Sequence, residues 1–526
     1  MTTTAEPATP VLTPRYTHRQ ILEIIAALLM AMLTSMIATS VVGTALPTIV
    51  GELGGQNELS WVASATLLTM TASTPLWGKL SDLYGRKLLF QFSLVLFIVA
   101  SVAAGFSQNM GELIAARAVQ GIGAGGLGAL TQVILGDVVE PRERGRYSGY
   151  LGAAFGVSTV AGPLLGGFIV DASWLGWRWC FWVSVPLAVV AFVMVQKILK
   201  LTHVRRKTRV DWLGATFLTA GSAALMLVLS LGGQEFAWRS GWTYGLLTVS
   251  LLMFVLAVWA ERHAVDPILP PRLFRDRTFV LTSLAGLLVG VALYGGIIYM
   301  PQYLQIVKSL SPTRSGLMML PLVVGMFIAS VTTGRVVTRT GRWKAFPVIG
   351  LLVVAAGLAT LSRLHVGSTL WLVGTGLAIL GVGLGMTMQV LILAAQNAVT
   401  RHDMAAATSG VSYFRSLGGA VGVAAFGAIL TNRASSEIIR LARRNHLPTG
   451  HGGSLNNLGT PDAIHHLPAA FQQIILEGFD RALQAVFLAA VPAALLAFVA
   501  VLLLKELPLR SARRNDQTAV AETPQV

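Results

Sequence analysis

Long apolar runs recur along almost the whole 526-residue chain, each close to the roughly 20 residues that a helix needs to cross the hydrocarbon core of a bilayer. Inside lipid no water is available to bond the backbone, so such runs can only be helices whose N–H and C=O groups are satisfied within themselves. Fourteen runs are predicted. The first six cover 21–46, 59–77, 88–106, 113–135, 149–170 and 181–198. The remaining eight cover 212–232, 244–260, 279–304, 316–337, 346–361, 370–395, 407–430 and 483–504. With 54% hydrophobic and 12% charged residues and a mean hydropathy of +0.68, a water-soluble enzyme of this size is excluded.

The net charge of +16 would suit nucleic acid if the basic residues formed one face, but they are scattered between apolar runs and no nucleic-acid partner is expected. Their distribution reads instead as a topology signal. An even number of spans puts both termini on one side, and Lys197, Lys200, Arg205, Arg206, Lys207 and Arg209 cluster in one connector, which marks it as cytoplasmic. Both termini are therefore expected in the cytoplasm, with residues 1–20 and 505–526 as tails. Segment 1–20, with Pro7, Pro10 and Pro14, reads as a disordered tail and not as a cleaved signal peptide. Residues 431–480, rich in Gly, Asn, His and Pro, read as one long external loop, whose end, Phe471 to Phe479, suits an interfacial amphipathic helix. The single cysteine, Cys180, excludes a disulfide framework and a cysteine zinc site.

Several motifs sit at defined places in this pattern. Between the second and third runs stands Gly78-Lys79-Leu80-Ser81-Asp82-Leu83-Tyr84-Gly85-Arg86-Lys87, and a degenerate echo, Gly334 to Arg342 with Arg339 and Gly341, follows the tenth run. The glycines allow tight turns, and Asp82 and Arg86 can form alternative ion pairs at helix ends. Asp137 closes the fourth run at the same level, so the three charges can form either a latch or a plain surface ion pair. Arg117-Ala118-Val119-Gln120-Gly121 places a guanidinium inside the fourth run, where it must face protein or water. Its two readings are a cavity residue and a structural arginine bonded to carbonyls. In the fifth run, Gly162-Pro163-Leu164-Leu165-Gly166-Gly167 combines a helix-kinking proline with glycines that admit a close neighbour.

These motifs resemble those of the major facilitator superfamily. Ala45-Leu46-Pro47, Trp61, Gly176-Trp177-Arg178-Trp179 and Tyr413-Phe414-Arg415 through Gly418-Gly419 extend the resemblance to the QacA/EmrB-type branch of fourteen-helix drug:proton antiporters. The resemblance implies a major facilitator fold of two six-helix bundles, 21–198 and 279–504, separated by 199–278, a basic linker with two inserted helices. It implies a bacterial inner-membrane exporter of small amphiphilic compounds, a monomer in contact with membrane lipids, that works without a cofactor on the proton gradient. Gly78, Asp82, Gly85, Arg86, Asp137, Gly162, Pro163, Gly166 and Gly167 would form its gating machinery, and Arg117 and Arg415 its coupling residues.

One departure matters. The branch usually carries an aspartate in the first span, where Ala38 stands here, and no Asp or Glu falls in the middle of any predicted run. Coupling then falls to an end carboxyl, first Asp137 and second Glu23, or it is weak, or the protein is a facilitated exporter. A doubly cationic substrate is less natural, since no buried anion would pair with it. The expected cavity lining is polar but uncharged: Thr39, Ser40, Thr66, Met70 and Gln132 in the first half, Tyr294, Tyr299, Gln302, Gln389 and Tyr413 in the second. Ordinary helix packing is the competing reading for each. Two other functions stay open, an exporter of an endogenous lipid or metabolite and a non-transporting sensor. An enzyme or ATP-driven pump is not expected: no metal-ligand cluster or nucleophile–base pair is visible, and Gly78-Lys79 lacks the spacing of a phosphate-binding loop.

Overall fold

A computed structural model describes residues 17–53, 59–139, 143–172, 174–199, 211–233, 235–400, 403–445 and 468–509. Most of the expected tails, most of the basic connector with Lys200, Arg205, Arg206, Lys207 and Arg209, and the central part of the expected external loop lie outside the described residues; residues 18–20, expected in the first tail, already belong to α1. What is described is helical almost throughout. The first bundle holds α1 (His18–Leu53), α2 (Leu59–Tyr84), α3 (Arg86–Phe106), α4 (Met110–Val138), α5 (Arg144–Asp171), the short α6 (Trp179–Trp182) and α7 (Ser184–Ile198). Next come α8 (Trp212–Leu231) and α9 (Gly241–His263). The second bundle holds α10 (Arg277–Gln302), α11 (Pro312–Met318), α12 (Leu320–Thr340), α13 (Ala345–Leu361), α14 (Leu370–Ala398), α15 (Met404–Arg444) and α16 (Ala469–Leu502).

The helices begin where polar side chains can take up the unbonded N–H groups of a first turn. Asn109 accepts from Glu112 N at 2.9 Å and starts α4, Asp211 accepts from Gly214 N at 2.8 Å and starts α8, and Asp276 accepts from Thr278 N and Phe279 N and starts α10. Eleven helices among the described residues are long and apolar enough to cross a membrane. The apolar α13 is shorter, and α2 and α5, richer in Gly, Ser and Thr, pack lengthwise among the others.

Within the first bundle α4 lies between α2 and α3, and α1 against α5 and α7; within the second, α14 lies between α12 and α13, and α10 against α15 and α16. The bundles meet along two seams, α2 with α15 and α5 with α12. The pair α8–α9 packs on α2 and α15 at the edge of the first seam, tied by Ser250 Oγ donating to Gly221 O at 2.9 Å and by a 2.7 Å hydrogen bond between Ser222 and Tyr413. Close approach of backbones is required where α10 crosses α15. A Cβ on Gly290 would stand 2.1 Å from the carbonyl oxygen of Arg415, and one on Gly418 1.9 Å from that of Leu287.

The stretch 431–480 differs from its expected form. Residues 431–444 continue α15, residues 469–480 are the first turns of α16, and 446–467 lie outside the described residues. The two extensions hold each other: Arg481 bonds Glu437 at 3.3 Å and Glu477 at 2.5 Å, while Ala434, Leu441, Ile474 and Ile475 are buried. Phe471 to Phe479 is thus helical, as expected, but continuous with the rest of α16 and not a separate element. The loop-forming composition of 446–467 hid the helical spacing of 431–444.

Candidate functional site

The turn between α2 and α3 is built from local sequence. Gly85 adopts φ 95°, a conformation that suits a residue without a Cβ, and its N–H closes α2 on Ser81 O at 3.1 Å. The turn delivers Arg86 to the ends of two helices at once. Its guanidinium reaches Asp82 at 2.5 Å and Asp137 at 2.7 Å, and Nη1 donates to Ser81 Oγ at 2.6 Å. Asp137 occupies the last turn of α4, where a negative charge opposes the helix dipole, so Arg86 offsets an otherwise unfavourable placement. Burial pushes the Asp82 carboxyl above its usual range, against the lowering pull of Arg86. The three charges come together, but all belong to the first bundle.

Contacts that join the two bundles gather at the same end. Gly78 packs on Ser409 of α15 so closely that a Cβ would lie 2.5 Å from the hydroxyl oxygen. Arg144, at the start of α5, donates through Nε to Val139 O at 2.9 Å, through Nη2 to Gly136 O, and through Nη1 across the seam to Gln396 Oε1 on α14 at 2.8 Å. Gln396 in turn donates to Thr408 Oγ1 at 3.0 Å. Deeper in, Gln132 Nε2 and Gln389 Oε1 meet across the bundles at 3.5 Å. Lys79 forms a buried ion pair with Asp266, in the segment after α9, and Arg272 pairs with Asp403 at 2.7 Å. Arg144, Gln396, Lys79 and Asp266 were not singled out as site residues in the sequence. The available signal was the amide pair Gln396-Asn397 just beyond an apolar run and a basic residue seven positions after Asp137.

The expected cavity residues divide. Thr39 and Ser40 are half-buried on α1; Thr39 donates to Ser35 O, and Ser40 lies against Gly162 of α5, where a Cβ would stand 2.1 Å from its hydroxyl oxygen. Gly167 faces open space, Gly166 is buried, and α5 continues through position 163, although the side chain of Pro163 is not among those described. Thr66 is buried and donates to Arg117 O at 3.0 Å, and Met70 packs its backbone on Gly125, so both serve the α2–α4 contact. Tyr299 is buried and donates to Val423 O at 2.7 Å, Tyr413 turns to Ser222 of the inserted pair, and Gln302 is exposed at the end of α10. Tyr294 is half-buried with its ring on Gly419. Among the described residues, a small cavity beside Gln389 is lined by α12 and α14, from Ser330 to Val337 and from Gly385 to Leu393. Two of its lining residues face the first bundle: Gln389 meets Gln132, and Ser330 lies beside Gly152 of α5.

Arg117 does not face a cavity. It is 2% exposed, its Nε donates to Val62 O at 3.3 Å and its Nη1 to Gln120 Oε1 at 2.6 Å, and Gln120 passes the chain on to Ser101 at 2.7 Å. Helical spacing shows that a face is buried but not which neighbour buries it, and here α2 and α3 close over the arginine. Glu23 forms an exposed i,i+4 pair with Arg19 at 3.1 Å. The position of the usual carboxylate, Ala38, is buried in the core. Two buried carboxylates do sit inside candidate spans: Asp480, 3% exposed in α16 with Gln484 donating to it at 2.9 Å, and Glu261 in α9, which accepts from the N–H groups of Ile268 and Leu269 at 3.2 Å. Asp480 falls in the stretch 431–480, whose composition reads as an external loop, so its place in a helix is not visible from the sequence.

Comparison with known proteins gives a consistent result. A family model described as Major Facilitator Superfamily matches residues 28–423. An uncharacterized MFS-type transporter of Mycobacterium tuberculosis is 38% identical over 89% of this chain and 67% of its own length. The multidrug transporter protein MdtP of Bacillus subtilis is 32% identical over 91% of this chain and 92% of its own. Among solved structures, the human organic anion transporter MFSD10 superposes with a TM-score of 0.60 over 91% of this chain and 99% of its own, at 15% identity, which speaks to the fold alone.

Proposed function

The chain belongs to the major facilitator superfamily, and from that premise we propose that it is a fourteen-helix secondary active exporter of small amphiphilic compounds, working by alternating access. It is a multi-pass membrane protein with relatives named as multidrug transporters. In this reading α2, α5 and α13 cross the membrane together with the eleven more apolar helices, both termini lie in the cytoplasm, and the end bearing Arg86 is cytoplasmic. The chain then stands closed to the cytoplasm. The observation that carries the reading is the gathering of the cross-bundle bonds of Arg144, Gln396, Gln132 and Gln389 at one end, beside the Asp82–Arg86–Asp137 cluster. Opening that end must exchange these bonds for others, which is the behaviour of a two-state gate.

Proton influx supplies the drive in the leading form of the proposal. Protonation of Asp137 removes one of the two charges that hold Arg86 at the ends of α2 and α4, loosening the cytoplasmic end. A second form, a facilitator or an exporter of an endogenous lipid or metabolite with weak coupling, is favoured by one observation: Ala38 fills the place of the first-span carboxylate and is sealed in the core. Everted membrane vesicles with an imposed pH gradient separate the two. Gradient-driven uptake of amphiphilic dyes that is lost in Asp137→Asn supports antiport through the end carboxyl, and uptake indifferent to the gradient supports the second form. No uptake of any compound under either condition would overturn both.

A further inference from the structure

Two guanidinium groups lie inside membrane-spanning helices, and their surroundings are opposite. Arg117 spends its donors on Val62 O and Gln120 and is sealed from solvent. Arg415, three turns into α15, makes no hydrogen bond or ion pair with any described residue, and it is only half-buried although it lies deep in the protein. A guanidinium carries five donors and never gives up its charge, and leaving it dry and unpaired inside a membrane protein costs several kcal/mol. It must therefore open onto water or onto an anion.

What surrounds it is shaped for the second. On α10, Gly286, Gly290 and Tyr294 stand at successive i,i+4 positions facing α15. The two glycines let the helices approach at the level of Arg415, and Tyr294 lays its ring on Gly419, one turn further on. Tyr294 is likewise half-buried, and its hydroxyl has no partner among the described residues. Two helices thus present a fixed positive charge and a phenolic donor, both unmet, amid half-buried apolar side chains such as Leu287, Val291 and Leu417. No carboxylate among the described residues pairs with Arg415 to cancel its charge.

We infer that Arg415, assisted by Tyr294, binds the anionic head group of an amphiphilic substrate, a carboxylate or sulfonate on an apolar body. The inference rests on the exporter reading, since it assigns that exporter's substrate class. Anionic amphiphiles gain a charge-assisted hydrogen bond in place of water, while cationic ones meet an uncompensated like charge.

The test uses the full-length chain in lipid nanodiscs and a matched pair of fluorescent probes, 11-(dansylamino)undecanoic acid and its primary amide, titrated at equilibrium with empty nanodiscs as the blank. The unmutated protein should bind the acid about tenfold or more tightly than the amide, the difference expected of a hydrogen bond to a charged partner. Arg415→Gln should abolish that preference by weakening the acid alone, Arg415→Lys should retain part of it, and Tyr294→Phe should reduce it by a smaller factor. Absence of saturable binding of the acid, equal affinity for acid and amide, or a preference that survives Arg415→Gln in protein of unchanged melting temperature would overturn the inference. If Arg415→Gln fails to fold, a preference left whole in both Arg415→Lys and Tyr294→Phe does the same. The titration needs no gradient, so it separates the two claims. Discrimination without gradient-driven movement leaves the site standing and removes the exporter, and movement without discrimination removes the site alone.

Discussion

Replacing Gln396 by leucine should open the end of the molecule that carries Arg86. Among the described residues Arg144 donates to Val139 O and Gly136 O within the first bundle and, across to the second, to Gln396 Oε1 at 2.8 Å and more weakly to Met404 Sδ at 3.6 Å. Gln396→Leu removes the Arg144–Gln396 bond, together with the Gln396–Thr408 bond inside the second bundle, and keeps the side chain's approximate volume. A hydrogen bond to a charged group contributes about 1.5–3 kcal/mol, and since 1.4 kcal/mol is a factor of ten, the ratio of open to closed should rise by roughly 10- to 100-fold. Distances between spin labels can read this out. With the sole cysteine, Cys180, replaced by serine, labels at the exposed positions Tyr84 and Arg342, at the end of α2 and beyond α12, report on the two bundles. The variant should show a longer-distance population that is weak or absent in the unmutated chain, and Arg144→Met should show the same one. A Gln396→Leu distribution that superimposes on the unmutated one would refute the assignment of this contact to a gate.

Gly418→Ala should lower thermal stability by about 1–3 kcal/mol, since its Cβ would meet the Leu287 carbonyl at 1.9 Å, whereas Gly128→Ala, with nothing within 4 Å, should leave the melting temperature unchanged. Arg117→Met should cost about 1–3 kcal/mol of stability by leaving Gln120 and Val62 O unpaired, yet leave the pH profile of transport unmoved, because no carboxylate is among the partners of Arg117; a displaced profile would show that it acts in coupling. Asp82 gives a pH prediction with a definite sign. Its folded carboxyl titrates above the ordinary value, so the folded state holds more proton there than the unfolded chain, and stability contributed by this group falls as pH rises from about 4 through the folded pKa. Melting curves of Asp82→Asn across that window should lack this decline, and identical slopes in variant and unmutated chain would count against it.

The features legible in the chain alone are those whose causes are local. Apolar runs of spanning length leave the backbone no choice but helix, and the expected runs correspond to α1–α5, to α6 with α7, and to the helices that follow. The α2–α3 turn was readable because Gly85, Asp82 and Arg86 lie within a few residues of one another, so their geometry follows from one glycine conformation and one helix end. Where composition is averaged over a long window, as in 431–480, the helical stripe of 431–444 is lost in the loop-like middle, and that of Phe471 to Phe479 reads as a separate helix. Other features depended on packing partners far away in sequence. Arg144 and Gln396 are 252 positions apart, and Gln132 and Gln389 are 257 apart, and nothing in either neighbourhood indicates the other. Arg117 and Arg415 look alike in sequence, each a guanidinium in an apolar run. The tertiary structure gives the first a carbonyl and an amide from its own bundle and leaves the second with none among the described residues, because helix periodicity sets which residues share a face, while only the arrangement of neighbouring helices decides what that face meets.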